Sequence, residues 1–319
     1  MPLVSVVVPT HNRPEMLAEA LASVRAQTFT DYEIIVVSNG EGNRWRLSAA
    51  VAEKYGARFH ALDAGNVSGA RNYGVHLAEG EWIAFLDDDD LWQPGKLARQ
   101  LAEARRTGAD AIIADFQVLY PNTSTSIGMT RPPANRSIRE GFLLANYGGG
   151  AASGIMARKA KLIEAGLFDA NLRAAEDWDM WARLAEVAEI AYIPDLLSVY
   201  RIHASNFTHS HLRIAWGEFL VYRKNLRRAP PHLRTRIILA MLTRPLLIPV
   251  YLKLNRNFWL LLRCLYRGRA SLNLRNHYWR FRAWLRPRSR YWAFRAWLRP
   301  RTRLLRASEI DNVASPGPP

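Results

Sequence analysis

The chain has 319 residues, 49% hydrophobic and 23% charged, with 17 Pro, 19 Gly and a single cysteine, Cys264. That composition supports a buried core and excludes a disordered, collagen-like or fibrous chain, while one cysteine excludes an intrachain disulfide framework and a Cys-based zinc site. The net charge of +16 is uneven: residues 1–209 carry 20 Lys+Arg against 25 Asp+Glu, and residues 210–319 carry 24 against 3. A mildly acidic globular domain followed by a strongly basic appendage is expected. Met1-Pro2-Leu3-Val4 puts no basic segment before its apolar run, so no signal peptide is expected and a reducing, cytoplasmic setting is.

Val4–Val8 is a β-branched run, too short for a helix and suited to a strand buried on both faces. Pro14–Gln27 follows with Leu17, Ala20, Leu21 and Val24 on one helical face. The series continues with a strand at Glu33–Val37, a helix at Trp45–Tyr55, a strand at Ala57–Leu62 and a helix at Ser68–Ala78. Next come a strand at Trp82–Leu86, a helix at Pro94–Arg105 with Pro94 in its first turn, and a strand at Ala111–Asp115. Such alternation predicts an α/β fold, a mostly parallel sheet flanked by helices. Ligands bind beyond the carboxyl ends of such strands, which directs attention to Pro9–Asn12, Ser38–Gly40 and Asp87–Asp90.

From 116 to 209 the pattern loosens, with a turn-rich stretch at Pro121–Pro133, a Gly148-Gly149-Gly150 loop and a helix at Trp178–Val187. A boundary is expected near His209–Leu212, giving a globular domain at 1–209, a basic, aromatic-rich helical region at 210–306 and a disordered tail at 307–319. Within the basic region a 13-residue segment, Tyr278–Arg290, is followed at once by a second copy, Tyr291–Arg303, identical at 11 of 13 positions. Two copies are too few for a solenoid.

The run Asp87-Asp88-Asp89-Asp90 at the end of an apolar strand is the sharpest local signal. Four adjacent carboxylates repel one another in a dry site, and a divalent cation with a taste for hard oxygen ligands, Mg²⁺ or Mn²⁺, relieves that. Alternation would turn Asp87 and Asp89 one way and Asp88 and Asp90 the other, the second pair capping the next helix or facing solvent. A solvated acidic turn is the competing reading and carries equal weight on this run alone.

Five segments in order resemble the family 2 glycosyltransferases of the GT-A fold: Val4–Asn12, Gly69-Ala-Arg-Asn72, Phe85–Trp92, Glu176-Asp-Trp-Asp179 and Tyr200-Arg-Ile-His203. The resemblance covers about residues 3–208. It implies a nucleotide-binding half first, and an inverting, metal-dependent transfer of a hexosyl group from a nucleotide-diphosphate sugar. Asp87 and Asp89 match the outer carboxylates of the metal-holding D-x-D motif, with Asp88 between them in the donor site and His203 as a further ligand. Pro9, Thr10 and Asn12 match the loop along the nucleoside, and Arg71 and Asn72 the segment near the donor. Asp177 matches the general base, with an N-cap of the following helix as its structural alternative. Where relatives show Asp-Asp-Gly-Ser, this chain has Ser38-Asn39-Gly40-Glu41, so Asn39 would meet the base and the base identity stays open. Trp92, Trp178 and Trp181 would stack on sugar rings or belong to the core.

Arg mixed with Trp, Tyr and Leu in the basic region suits an interfacial helix on an anionic membrane surface, and its apolar runs are too interrupted to span one. The expectation is a peripheral protein on the cytoplasmic face of a membrane, acting on a glycan or lipid-linked acceptor in surface polysaccharide or glycolipid synthesis. Nucleic acid is the lesser alternative for the tail, and a partner protein a third. The rival for the whole chain is a catalytically degenerate nucleotide-sugar-binding or scaffold protein. Donor sugar, linkage and oligomeric state stay open.

Overall fold

A computed structural model of the chain describes residues 1–40, 44–62, 65–119, 126–129, 137–146, 152–203 and 211–241. The expected Gly148–Gly150 loop, the 13-residue repeat, Cys264, the tail and most of the basic region lie outside these residues.

The first half alternates as anticipated: β1 (Val4–Thr10), α1 (Pro14–Arg25), β2 (Tyr32–Ser38), α2 (Arg44–Lys54), β3 (Arg58–Ala61), α3 (Val67–Leu77) and β4 (Trp82–Phe85). β1 is buried along its whole length, because it lies between β2 and β4, parallel to both. Period-two alternation splits its side chains between two cores. Val4, Val6 and Val8 pack with Leu17, Leu21 and Val24 of α1. Val7 joins Ile35, Val37, Ile83 and Phe85 on the opposite face. There α3 comes so close that a Cβ on Gly74 would lie 2.4 Å from Val7 Cγ1.

After a two-residue strand, β5 (Leu91–Trp92), comes α4 (Lys96–Thr107). This helix starts two residues later than expected. Pro94 is not in its first turn but in a turn closed by Lys96 N–H donating to the Gln93 carbonyl, where proline's fixed φ suits the second position. α4 ends at Gly108, whose φ of 72° is a left-handed cap.

Beyond β4 the sheet stops being parallel. β6 (Ala111–Leu119), β7 (Ser126–Met129) and β8 (Ile155–Arg158) are joined antiparallel, with β8 inserted between β4 and β6. β9 (Ile190–Arg201) runs parallel to β6 and antiparallel to β5. The sheet order is β3-β2-β1-β4-β8-β6-β9-β5. Register slips after Ala114, where Pro194 and Asp195 have no partner on β6, as a ring without an N–H requires.

α5 (Ile138–Leu144), α6 (Lys159–Glu164) and α7 (Glu176–Val187) cover one face of the sheet. Trp178 and Trp181 are fully buried and Trp92 nearly so, which assigns all three to the core and removes them as sugar platforms. Trp181 and Phe85 both pack around Phe168, and Trp178 meets Tyr222 edge-on at 4.8 Å. Tyr222 belongs to α8 (His211–Arg228), which follows the boundary expected near residue 209 and yet packs into the same compact unit as the sheet. Its Tyr222 hydroxyl donates to the Leu144 carbonyl at 3.0 Å, and Asn225 donates to the Phe142 and Leu143 carbonyls. A further helical stretch at 231–241 buries Leu233 and Ile237.

Candidate functional site

Parallel strands leave their carboxyl ends on one edge, and there β1 releases Thr10–Arg13, β2 releases Asn39 and β4 releases the acidic run. Asp87–Asp90 is a tight turn, with Asp90 N–H donating to the Asp87 carbonyl at 3.0 Å. Exposure still alternates as expected: Asp87 and Asp89 are half-buried and Asp88 and Asp90 buried. The buried pair, however, neither caps α4 nor meets solvent. Asp88 accepts from the Thr10 hydroxyl at 2.8 Å, the His11 N–H at 3.3 Å and Arg13 Nη1 at 3.2 Å. Asp90 accepts from the Ser153 hydroxyl at 2.6 Å and the Arg201 N–H at 3.3 Å.

The outward pair is split between two cations. Asp87 accepts from Arg71 Nη2 at 2.6 Å, and Asp89 from Arg13 Nη1 at 2.5 Å. His203 Nε2 lies 3.0 Å from the same Asp89 oxygen. Electrostatics follow these partners. Burial pushes Asp88 up to about 6 despite Arg13. Burial and the charges of Asp89 and Asp87 push Asp90 well above the ordinary carboxyl range. Burial also raises Asp87 against the pull of Arg71. Burial works against an ionised Asp89 as well, but His203 and Arg13 outweigh it and hold that carboxyl low.

Arg71, buried in α3, joins this turn to the base candidate. Its Nη1 donates to Glu176 at 2.9 Å while its Nη2 holds Asp87, and its guanidinium lies over the Phe168 ring at 5.2 Å. Asp177 follows Glu176 in the first turn of α7 and is half-buried. It is not the N-cap: that position is Ala175, at φ 58°, with no side-chain cap. Asp177 instead accepts from Asn146 at 3.0 Å and from the Trp178 N–H at 2.7 Å.

The remaining sequence candidates divide. Pro9 and Thr10 are buried at the end of β1. Asn12 has φ 55° and stands against Gly40, where an added Cβ would sit 2.4 Å from Asn12 Oδ1. The Asn39 N–H donates to the Thr10 carbonyl, and its own carbonyl lies 3.1 Å from His11 Nδ1. Asn72 is held by Phe168: its amide donates to the Phe168 carbonyl at 2.8 Å and accepts the Phe168 N–H at 2.9 Å. Arg13, Glu176, Ser153, Asn146 and Arg201 were not singled out from the sequence. Glu176 and Arg201 stand inside quoted motifs; the others are single residues whose roles depend on long-range pairing, which no local spacing announces.

For a cation, the donor chemistry of Asp87, Asp89 and His203, two carboxylates and an imidazole, fits Mn²⁺ or Mg²⁺. Arg13 shows that a positive group is already accommodated between Asp88 and Asp89. Among the described residues no three acidic, His or Cys side chains converge as a preformed cluster. In this arrangement Asp87 is paired with Arg71 and Asp89 with Arg13.

The glycosyl transferase family 2 profile matches residues 5–165. An uncharacterized glycosyltransferase of Rickettsia typhi is 29% identical over 233 residues, covering 69% of this chain and 72% of its own length. Two further Rickettsia relatives are longer, and the alignment spans 38% of each. The Escherichia coli protein WfgD, named a UDP-Glc:alpha-D-GlcNAc-diphosphoundecaprenol beta-1,3-glucosyltransferase, is 26% identical over 216 residues, covering 66% of this chain and 81% of its own. In fold, the chain is similar to the mannosyltransferase PcManGT from Pyrobaculum calidifontis, solved with GDP-Man and Mn²⁺. That match has TM-score 0.59 and 18% identity, and it covers 91% of this chain and 83% of that one.

Proposed function

The chain belongs to glycosyl transferase family 2, and we propose that it moves a hexosyl group from a nucleotide-diphosphate sugar to a hydroxyl of a glycan or lipid-linked acceptor, with inversion. The observation that carries this is the Arg71 bridge, which ties the acidic turn to the start of α7 and so sets donor side and base side at a fixed separation. Pre-set geometry of this kind removes part of the entropic barrier that the same reaction meets in water.

The donor's nucleoside lies along Thr10–Asn12 and Asn39, and its diphosphate against the acidic turn. Asp87, Asp89 and His203 would hold the cation; when bound, it neutralises charge on the departing diphosphate. Asp177 takes the proton of the acceptor hydroxyl as that oxygen bonds to the anomeric carbon. The bond from that carbon to the diphosphate oxygen breaks on the opposite face. Asn146, donating to one Asp177 oxygen, orients the carboxylate for this. The donor and lipid-diphosphate acceptor in WfgD's name support a nucleotide-sugar donor and a polyprenyl-linked acceptor in surface polysaccharide synthesis. The basic C-terminal residues would keep the protein on the cytoplasmic face of an anionic membrane, where such acceptors reside.

The test is thermal stabilisation by a panel of nucleoside diphosphates, with and without Mn²⁺, on wild type and Asp89→Ala. A Mn²⁺-dependent shift for one nucleotide, lost in the variant, is expected. No shift with any nucleotide would overturn the donor-site reading and favour a degenerate binding protein.

A further inference from the structure

α8 has an outward face that donor, acceptor and base leave unused. Its inward face is Ile214, Gly217, Val221, Tyr222 and Asn225, all buried. Outward stand Leu212, Trp216, Phe219, Arg223 and Arg227, spaced by four, three, four and four residues, which is one stripe of a helix. Leu212 is 73% exposed and Trp216 62%, and the indole stacks on Phe219 at 5.3 Å with 16° between planes. Arg223 and Arg227 are exposed. The single carboxylate of α8, Glu218, is buried on the inward side. The stripe is thus apolar and aromatic over its first half, cationic over its second, and free of negative charge along its length of about 27 Å.

Charge selects the occupant. Residues 242–319 hold 17 Lys+Arg against Glu309 and Asp311, so like charge argues against that segment as the occupant. A second copy would bring the same cationic stripe. The complementary surface is anionic, and one that also accepts an indole, a phenyl ring and a leucine side by side is a bilayer headgroup layer.

Position gives the contact a consequence. Next to Trp216, Gly217 lies against the backbone of Ala174, so close that a Cβ would stand 2.4 Å from the Ala174 carbonyl oxygen. Ala174 precedes Asp177 by three residues. We propose that the Leu212–Trp216–Phe219–Arg223–Arg227 stripe docks on an anionic lipid surface, coupling membrane contact to the segment that carries the base. The part concerning the base rests on the transferase reading; the lipid contact does not.

The experiment uses the full chain carrying Cys264→Ser and Trp216→Cys, labelled there with the environment-sensitive fluorophore NBD. Glu53→Cys, on an exposed position of α2, serves as the control, and Leu212→Cys as the second probe should Trp216→Cys fail to fold. With phosphatidylglycerol–phosphatidylcholine vesicles, the probe on α8 is expected to shift blue and to be quenched by brominated acyl chains, while the control does neither. Adding Arg223→Glu and Arg227→Glu should weaken that response several-fold. The proposal is overturned if the protein sediments with vesicles while the α8 probe stays unchanged, since the tail alone then binds. An equal response to pure phosphatidylcholine overturns it too, as does a response to poly(U) RNA that vesicles fail to produce. Nucleoside diphosphate stabilisation, run on the same samples, separates these failures from failure of the transferase reading.

Discussion

Asp89 Oδ2 and His203 Nε2 lie 3.0 Å apart across 114 residues of chain. The contact exists because β9 runs parallel to β6 and delivers its end, with Arg201 and His203, to the turn after β4. Arg201 Nε also donates to the Asp89 carbonyl at 2.5 Å, so backbone and side chain of Asp89 are both gripped from β9.

If His203 serves the cation, His203→Ala raises the Mn²⁺ concentration needed for half-maximal transfer by about tenfold or more, in line with the loss of a ligand or its immediate support. Donor KM at saturating Mn²⁺ should change far less. An unchanged Mn²⁺ requirement would remove His203 from the ligand set.

Arg71→Ala strands two carboxylates, Asp87 and Glu176, whose shared partner is a buried guanidinium. Breaking such a pair from one side costs about 3–5 kcal/mol. Urea denaturation is expected to show a loss of that order, with Arg71→Lys between it and wild type, because one ammonium does not reproduce the two-pronged contact.

Lys96 is fully buried, with its Nζ donating to Gln100 at 2.7 Å and lying 4.1 Å over the Trp92 ring, and burial lowers it to about 7. A lysine depressed in the folded state takes up its proton more readily when unfolded, so stability falls as pH drops from about 10 towards 7. Each unit of depression is worth about 1.4 kcal/mol, and the Trp92 face offsets part of the total. Lys96→Met should therefore be more stable than wild type near neutral pH, with the gap closing near pH 10. A gap independent of pH would show that Lys96 stays charged in the fold.

Ser153→Ala removes the donor to Asp90 and the acceptor of the Asp87 N–H, 3.1 Å away. Leaving buried polar groups unmatched costs about 1–3 kcal/mol. Because both ends of the acidic turn lose their tether, nucleotide stabilisation should fall together with melting temperature, and Ser153→Thr should restore both in part.

The parallel half was legible because its signals are local. Val4–Val8 and Glu33–Val37 read as strands, and the helices expected at Pro14–Gln27 and Ser68–Ala78 lie within two residues of α1 and α3. The acidic turn stood out as charge at a strand end, and Glu176–Asp177 through the family resemblance. What stayed hidden depends on pairing between distant segments. Nothing near Ser153 marks it as the tether of Asp90, and nothing near Arg13 marks it as the counter-ion of Asp88 and Asp89. The insertion of β8 between β4 and β6 follows from sheet topology, not from any property of Ile155–Arg158 alone. The pairing of Asn72 with Phe168, 96 residues away, was hidden for the same reason.

The separations that define the site also set an order in time. β1 to β4 are linked by short crossovers and can condense while the rest of the chain is still searching. The Arg71–Glu176, Arg201–Asp89 and His203–Asp89 contacts close loops of 105, 112 and 114 residues. Long closures come late because their entropy must be met before any contact repays it. In refolding from urea, far-UV ellipticity is expected to recover ahead of nucleotide binding, so a half-made chain would already look folded while still unable to hold a donor.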